Sequence, residues 1–467
     1  MGKHYDYVVI GSGPAGHASA IKAAQLGMKV AVIEKDQAMF GGVCLNEGCI
    51  PAKSLYRSAG TYDLFRKESS FFGMSPEAVT ANMKDIVGRS REASETLKKG
   101  LAFVFKKNGI DVVSGTARFA GNEIRVTEKG GESGDLSFSK ALIASGSRPK
   151  SVSAVPFDGS LVMTSSDAIR LETLPRTIAI VGAGYIGAEM ASYFNLLGTE
   201  VTLLEMERSI LPADDPDVSR RMQAIFKQRG INVLTGCVLT GVEKKGDRVM
   251  CRIASADSQE EHVFEKMLIS TGRAPNTGEL GLETTGISAD DRGFIPVDGS
   301  MRTSCGNVFA AGDVVPGPML AHAAYLEGET AALAAAGMEH EPVDHSNTPN
   351  AVYTEIQAAS VGITEPQAAH NGAGYATGKT FYKANGKAVV NRQTEGFIKV
   401  IADKATRRIL GAHILGHDAS DLIHEFAVAK KAGLTVDDIA GTVHAHPTLS
   451  EAAADACRAV FGKPIHG

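Results

Sequence analysis

The chain has 467 residues, 43% apolar and 22% charged, which suits a globular protein of about three domains and excludes a disordered or low-complexity chain. A net charge of −5 argues against a nucleic-acid or anionic-membrane partner. Six cysteines are too few for a disulfide scaffold, no apolar run reaches the ~18 residues of a membrane span, and the N-terminus opens on a strand pattern rather than a presequence, so a reducing cytoplasm is expected.

In chain order, Tyr5–Ile10 is predicted as a strand. The glycine turn GSGPAG follows, then a helix over His17–Leu26 and a strand Lys29–Ile33 closing on Glu34. GGVCLNEGCIPAKSL then sets Cys44 and Cys49 close together. A polar helix is predicted over Glu77–Asn108, with short β runs such as Ile124–Thr127 after it. The strand Ala141–Ser145 ends in the turn ASGSRP. The opening design then recurs. TIAIVGAGYIGAEM gives a strand, a glycine turn and a helix through Leu197, followed by the strand Val201–Leu204 and Glu205. In each copy the acid stands 23 residues after the first glycine. A second closing turn, STGRAPN, ends this unit at 276. From Val352 the pattern changes to strands Gly396–Ile401 and Ile409–Leu415 and a helix Ser420–Lys431.

The fold class expected is α/β, with two Rossmann-like dinucleotide-binding domains plus an α+β C-terminal domain. The first domain is split, 1–150 and 277–345, around a second at 151–276, and the third runs 346–467. This layout gives the glycine excess (51 residues, about 11% against an average near 7%) a purpose in turns.

A strand followed by GxGxxG and a helix is a phosphate-binding device. Gly11 and Gly182 make the tight turn, Gly13 and Gly184 let backbone approach a pyrophosphate, and Gly16 and Gly187 let helix pack on strand. The helix N-terminus offers free N–H groups and a positive dipole end. The acids Glu34 and Glu205 suit a ribose diol. A carboxylate at Glu205 repels a 2′-phosphate, and Met206, Glu207 and Arg208 after it supply no basic cluster, which favours NAD over NADP.

In a reducing cell a close cysteine pair is more often catalytic or metal-binding than structural. If a helix begins between Cys44 and Cys49, they sit about one turn apart, close enough to be bridged, and the helix start favours a thiolate. A metal site needs a second ligand pair nearby, and the other four cysteines are scattered singly, so none is expected. Near the C-terminus, VHAHPTLSEAAA offers His444 and His446 as bases. Pro447 biases His446 toward an extended backbone, and Thr448 with Glu451 matches a capping box.

GSGPAG, GGVCLNEGCIPAK, GAGYIG, FAAGD and HPTLSE, in this order, resemble the flavoprotein pyridine nucleotide-disulfide oxidoreductases of class I essentially from end to end. CLNEGCIPAKSL, GDVVPGPMLAH and HAHPTLSEA are most similar to the members that oxidise dihydrolipoyl groups. The resemblance implies FAD on Gly11, Gly13, Gly16 and Glu34, with Ala117 near the adenine and Gly146 in the closing turn. Asp313 would bind the ribityl chain, and Met319, Leu320, Ala321 and His322 would run along the flavin ring. It implies NAD on Gly182, Gly184, Gly187, Glu205 and Gly272, with Leu239 nearby and Tyr185 as an aromatic lid. Lys53, paired with Glu189, would face the flavin.

The same resemblance makes Cys44–Cys49 the redox disulfide and His446, oriented by Glu451, the acid/base that reaches the pair of the other subunit of a homodimer. The macromolecular partner implied is a lipoyl-bearing protein of a 2-oxo acid dehydrogenase or glycine cleavage complex. Departures from the family pattern are Val43 for Thr, Glu47 for an apolar residue, Ala52 for Ser, Ser145 for Thr, Ile356 and Gln357 for Pro and Glu, and AHAAYLEG, with Tyr325, for a more charged AHKAEEEG-like run. The alternatives are an NADPH-dependent glutathione-type reductase, which Glu205 disfavours, and a non-catalytic flavin scaffold, which would not need Cys44, Cys49 and His446.

Overall fold

A computed structural model describes residues 3–152, 155–256, 258–372 and 374–466. The chain divides into two compact units, one of residues 1–55, 84–150 and 272–345, the other of 56–83, 151–271 and 346–467. Residues 56–83, which the sequence reading keeps with the first domain, fall in the second unit.

The first unit is built on β1 (His4–Ile10), which is buried on both faces. Tyr5, Val8 and Ile10 pack with Ile33, Phe119 and Ile124, while Tyr7 and Val9 pack with Ala15, Ala20 and Ala23 of α1 (Pro14–Gln25). A parallel strand covered on both sides reads as a continuous apolar run, as YVVI does. β2 (Val30–Glu34) pairs parallel on one edge of β1, and Ser133–Ile143 on the other. Asp111–Ser114 and Val308–Ala310 extend the sheet in parallel. Pro14 starts α1 three residues before the predicted helix, because a fixed φ and a missing N–H suit a first helical position. The helix predicted from Glu77 begins only at Met83. Pro76 and the β-branched Val79 and Thr80 leave the preceding segment outside it.

The second unit repeats the design. Glu200–Glu205 lies between Thr177–Val181 and Asn232–Thr235, all parallel, with Lys266–Ile269 and Val162–Met163 beyond. A three-stranded antiparallel sheet, Val238–Lys245, Arg248–Ala254 and Gln259–Phe264, lies beside them. The C-terminal part is a five-stranded antiparallel sheet in the order Asn350–Val352, Gln357–Gly362, Ile409–Gly416, Phe397–Asp403, Tyr375–Phe381. Ile423 and Phe426 of the helix Ala419–Lys431, and Ala453 and Ala456 of the helix Glu451–Ala459, share one core with Ile398, Val400 and Ile414 of that sheet.

A buried ionic cluster joins the two halves of this unit. Lys399 Nζ donates to Asp215 Oδ1 at 2.8 Å and to Asp217 Oδ2 at 3.1 Å, and lies 2.6 Å from Glu365 Oε2. Lys399 is 3% exposed and Asp215 not at all. Burial pushes the Asp215 carboxyl up, but the hydrogen bond from Lys399 and the Glu365 N–H outweigh it and hold it below the ordinary range. The Lys399→Met variant strands a buried carboxylate, so a stability loss of about 3–5 kcal/mol is expected, read as a lower urea midpoint.

Candidate active site

The two glycine turns share one geometry. Gly11 and Gly182 have φ of +101° and +94°. A Cβ on either would run into the carbonyl of Ala144 or Ser270, and one on Gly16 or Gly187 into that of Gly11 or Gly182. Gly13 and Gly184 are the N-caps of the following helices, and neither supplies a side-chain cap, so the first helical N–H groups are left for a ligand. Glu34 and Glu205 are buried, not solvated strand ends. Glu34 Oε2 accepts from the Ser12 N–H at 3.1 Å and the Ser12 hydroxyl at 2.6 Å. Glu205 Oε2 accepts from the Ala183 N–H at 2.7 Å. In both copies the acid therefore holds the residue between the first two glycines. Oε1 in turn accepts from the N–H two residues on, at Asp36 (3.1 Å) and Glu207 (2.9 Å).

Asp313 sits in a network that sequence reasoning missed. Ser147 Oγ donates to Asp313 Oδ2 at 2.5 Å. Arg273 Nε and Nη2 donate to Ser147 Oγ at 2.6 Å and Ser147 O at 2.8 Å, and Nε lies 3.7 Å from Asp313. The signal was in the closing turns, ASGSRP and STGRAPN. Their short strands Ser147–Pro149 and Arg273–Pro275 pair antiparallel, with Gly146 and Gly272 both at positive φ. Glu327 was also missed. It is buried, accepts from the Gly312 N–H at 2.6 Å, and lies 3.1 Å from His345 Nε2. It thereby fixes the loop that carries Asp313. Met319 (φ +51°) and the N-cap Leu320 lead into the helix Ala321–Ala335, whose first turn holds Ala321 and His322 and has no side-chain cap. Ala117 is buried against Ile33 and Val126.

In the second unit Tyr185 opens the helix Tyr185–Leu196, and burial, then the Asp214 charge, pushes its phenol up. Glu189 is buried on the same helix, and its Oε1 accepts from the Tyr353 N–H at 2.9 Å. Leu239 packs against the core of Val181, Leu204 and Ile253. Of the departures, Ile356 is buried, and Gln357 Oε1 accepts from the Ser420 N–H at 3.1 Å.

The cysteines lie on consecutive helices. Cys44 is on the short α2 (Gly42–Glu47), and Cys49 is the first residue of α3 (Cys49–Glu68). Positive φ at Gly41 and Gly42 turns the chain into α2. Both thiols are half-buried and unbridged. Cys44 donates to the Cys49 sulfur, which, followed by burial, pushes the Cys44 thiol well up. Lys53, one turn into α3, opposes that shift.

His446 precedes Pro447 across a cis bond. Its Nδ1 donates to Glu451 Oε1 at 2.9 Å, the ring is 76% exposed, and Nε2 has no partner among the described residues. His444 has both nitrogens engaged, with Glu425 Oε1 at 2.8 Å and Thr442 O at 3.0 Å, which removes it as the base. The capping box expected from Thr448 and Glu451 is only half formed. Thr448 Oγ1 donates to Ala445 O at 2.7 Å instead, and Ser450 is the N-cap. Glu451 Oε2 still accepts the Thr448 N–H at 2.9 Å. That bond, then His446, holds its carboxyl below the usual range.

Residues 5–328 match the pyridine nucleotide-disulphide oxidoreductase family, and residues 348–457 match the pyridine nucleotide-disulphide oxidoreductase dimerisation domain. The chain belongs to this family. It is 38% identical to a dihydrolipoyl dehydrogenase of Bacillus subtilis (strain 168) over 100% of both chains. It is 38% identical to the mitochondrial dihydrolipoyl dehydrogenase of Pisum sativum, over 99% of this chain and 92% of that one. Among solved structures, LpdA from Mycobacterium tuberculosis superposes with a TM-score of 0.91 at 25% identity, covering 98% of this chain and 99% of that one. The HOCl-induced flavoprotein disulfide reductase RclA from Escherichia coli gives 0.87 at 29% identity, covering 98% and 100%.

This oxidoreductase is thus an FAD- and NAD-using family member whose dimerisation domain is the five-stranded sheet and the helices packed on it. No helix among the described residues is long and apolar enough to cross a membrane, and no cluster of three or more His, Cys, Asp or Glu among them is arranged to hold a metal. With Glu451→Gln the imidazole loses its anionic partner, so dithiol oxidation is expected to slow about 100-fold or more at unchanged flavin content, measured by steady-state turnover per bound flavin.

Proposed function

We propose that this chain is a dihydrolipoyl dehydrogenase that oxidises protein-bound dihydrolipoyl groups through a Cys44–Cys49 redox couple. The observation that carries the reading is the conjunction of three parts in one chain. These are two glycine turns with inward-turned acids, a hydrogen-bonded thiol pair at a helix start, and an exposed His446 oriented by Glu451. Full-length relatives of that name support it.

FAD is held by Gly11, Gly13, Gly16 and Glu34, with Ala117 and Gly146 near it, Asp313 at its ribityl chain, Lys53 facing its ring, and Met319, Leu320, Ala321 and His322 along that ring. NAD is held by Gly182, Gly184, Gly187, Glu205, Leu239 and Gly272 under the Tyr185 lid. The domains are 1–150 with 277–345 for FAD, 151–276 for NAD, and 346–467 for the subunit interface. When bound, FAD supplies the two-electron relay from the thiol pair to NAD.

The chain's own residues handle sulfur and proton. His446 Nε2 takes the proton of one dihydrolipoyl thiol. The thiolate attacks the Cys44 sulfur of the disulfide, the S–S bond breaks, and Cys49 leaves as a thiolate. The second substrate thiol, once deprotonated, attacks the mixed disulfide and releases the cyclic disulfide product, so the two electrons stay on the cysteine pair. The placement of the two half-buried thiols on consecutive helices supports these roles. Lys53, with Glu189 as its proposed partner, adds a fixed cation that would favour the anionic reduced flavin. His446 lies in the segment matched to the dimerisation domain. That match supports a homodimer, in which each base serves the other subunit's thiols, with a lipoyl-bearing protein of a 2-oxo acid dehydrogenase or glycine cleavage complex as partner. Four thiols scattered singly beside the one close pair suit a reducing cytoplasm.

The test is steady-state turnover of the purified yellow protein. Dihydrolipoamide with NAD should be oxidised well, and glutathione disulfide with NADPH reduced poorly. The reverse pattern sinks the reading. Cys49→Ser should abolish turnover, and full retention would sink the mechanism. Glu205→Arg should shift preference toward NADP by about tenfold or more, read from the ratio of kcat/KM values.

A further inference from the structure

The loop 312–317, which carries Asp313, closes around an ion pair. At one end Gly312 (φ +78°) lies against α1, where a Cβ would stand 3.1 Å from that of Ala15. Its N–H donates to Glu327 Oε2 at 2.6 Å. At the other end a Cβ on Gly317 would stand 3.4 Å from His345 Nε2 and 3.6 Å from Glu327 Oε1. Between the two ends His345 Nε2 donates to Glu327 Oε1 at 3.1 Å. The Glu327 carboxylate thus has one oxygen on the loop backbone and the other on the imidazole. Its side chain is 3% exposed and that of His345 30%, so the carboxylate is desolvated while the imidazole exchanges protons with water. A buried carboxylate is costly without a counter-charge, and a charge-assisted bond is roughly twice as strong as a neutral one. The charge on the imidazole therefore sets how firmly Glu327 holds Gly312.

We propose that His345 is a positioning residue for the flavin, its imidazolium anchoring Glu327 and, through Gly312, the Asp313 carboxylate at the ribityl chain. The inference rests on the assignment of Asp313 to that chain. It makes flavin retention depend on a proton outside the chemistry of the thiols and His446. The charges bearing on the imidazole are Glu327 of the helix Ala321–Ala335 and Asp344 beside it in the chain, both acids. The loop side, Pro316, Gly317 and Pro318, brings no titratable group. The hydrogen bond to Glu327 outweighs burial and raises the imidazole above its ordinary value of 6.5. A raised histidine gives its full contribution below the ordinary value and loses it as pH rises through the raised one. Flavin is therefore held most firmly on the acidic side and less firmly as His345 loses its charge. A neutral imidazole keeps the bond but not the charge, so the loss is partial.

The test follows FAD release from the diluted holoenzyme, by recovery of free-flavin fluorescence, between about pH 5.5 and 8.5. Wild-type release should quicken as pH rises. His345→Gln keeps a donor without a titratable charge. It should release FAD about threefold to tenfold faster than wild type at the acidic end and nearly equally at the alkaline end. His345→Lys restores a cation and should release FAD slowly across the range, without the wild-type rise. Circular dichroism verifies folding. A space-filling role gives a His345→Gln to wild-type ratio that is constant with pH. Such a ratio, at one or any other value, overturns the proposal. If His345→Gln does not fold, a wild-type rise retained in His345→Lys overturns it instead. Asp313→Ala tests the ribityl assignment separately. Wild-type release from Asp313→Ala with a pH-dependent His345→Gln ratio removes Asp313 from the ribityl chain and leaves His345 as the anchor of the loop. Fast release from Asp313→Ala with a constant His345→Gln ratio does the reverse.

Discussion

Each dinucleotide turn is held by a carboxylate that points inward. Glu34 and Glu205 end their strands 23 residues after the first glycine, yet each accepts the N–H of the residue between the first two glycines. This bond pins the strand end to the turn and so aims the N-terminus of the following helix. The glycines permit the approach, because a side chain at Gly11 or Gly16 would overlap a carbonyl. A helix end without a side-chain cap is costly when buried and useful when a phosphate completes it. The acid and the glycines are therefore one device, and the rest of the site is arranged from it.

From the first turn the arrangement spreads by short links. Ser12, held by Glu34, accepts from Gly41, which fixes the entry to α2 and hence Cys44. Helix α1 packs on the helix Ala321–Ala335, whose Glu327 carboxylate holds Gly312 beside Asp313. Ser147 and Arg273 meet Asp313 from the two closing turns. The Cys44–Cys49 pair, Asp313 and the aromatic pair His17–Tyr325 thus all take position from a single strand–turn–helix. The second unit uses a different device. There the start of the helix Pro216–Gln228 is joined to the C-terminal sheet through Lys399 and its carboxylates, a polar lock whose cost of desolvation is met only while every partner remains.

Much of the fold and part of the site were legible in the residues. The repeated strand, glycine turn, helix and acid, the cysteine pair, and His446 with Glu451 were all readable, because in each the chemistry lies within about 25 residues and local backbone rules govern it. Several features were not legible. Ser147 with Asp313, Gly312 with Glu327, and Lys399 with Asp215 join distant segments, and nothing in local spacing announces such pairs. The helix predicted from Glu77 was overextended, since charge periodicity there competes with Pro76 and β-branched neighbours.

By itself the sequence determined the class of fold, the two dinucleotide turns and the thiol pair, since glycine freedom, apolar periodicity and cysteine spacing are local properties. The tertiary structure decided which histidine is open to a substrate, because only packing brings Glu425 to His444 and leaves His446 Nε2 facing out. It decided that Thr448 spends its hydroxyl on Ala445, so that Glu451 divides its oxygens between a backbone N–H and the imidazole. It also decided that Tyr325 meets His17. A contact between residues 308 positions apart is fixed by how helices cross, and helix crossing is set by a core that no short segment contains.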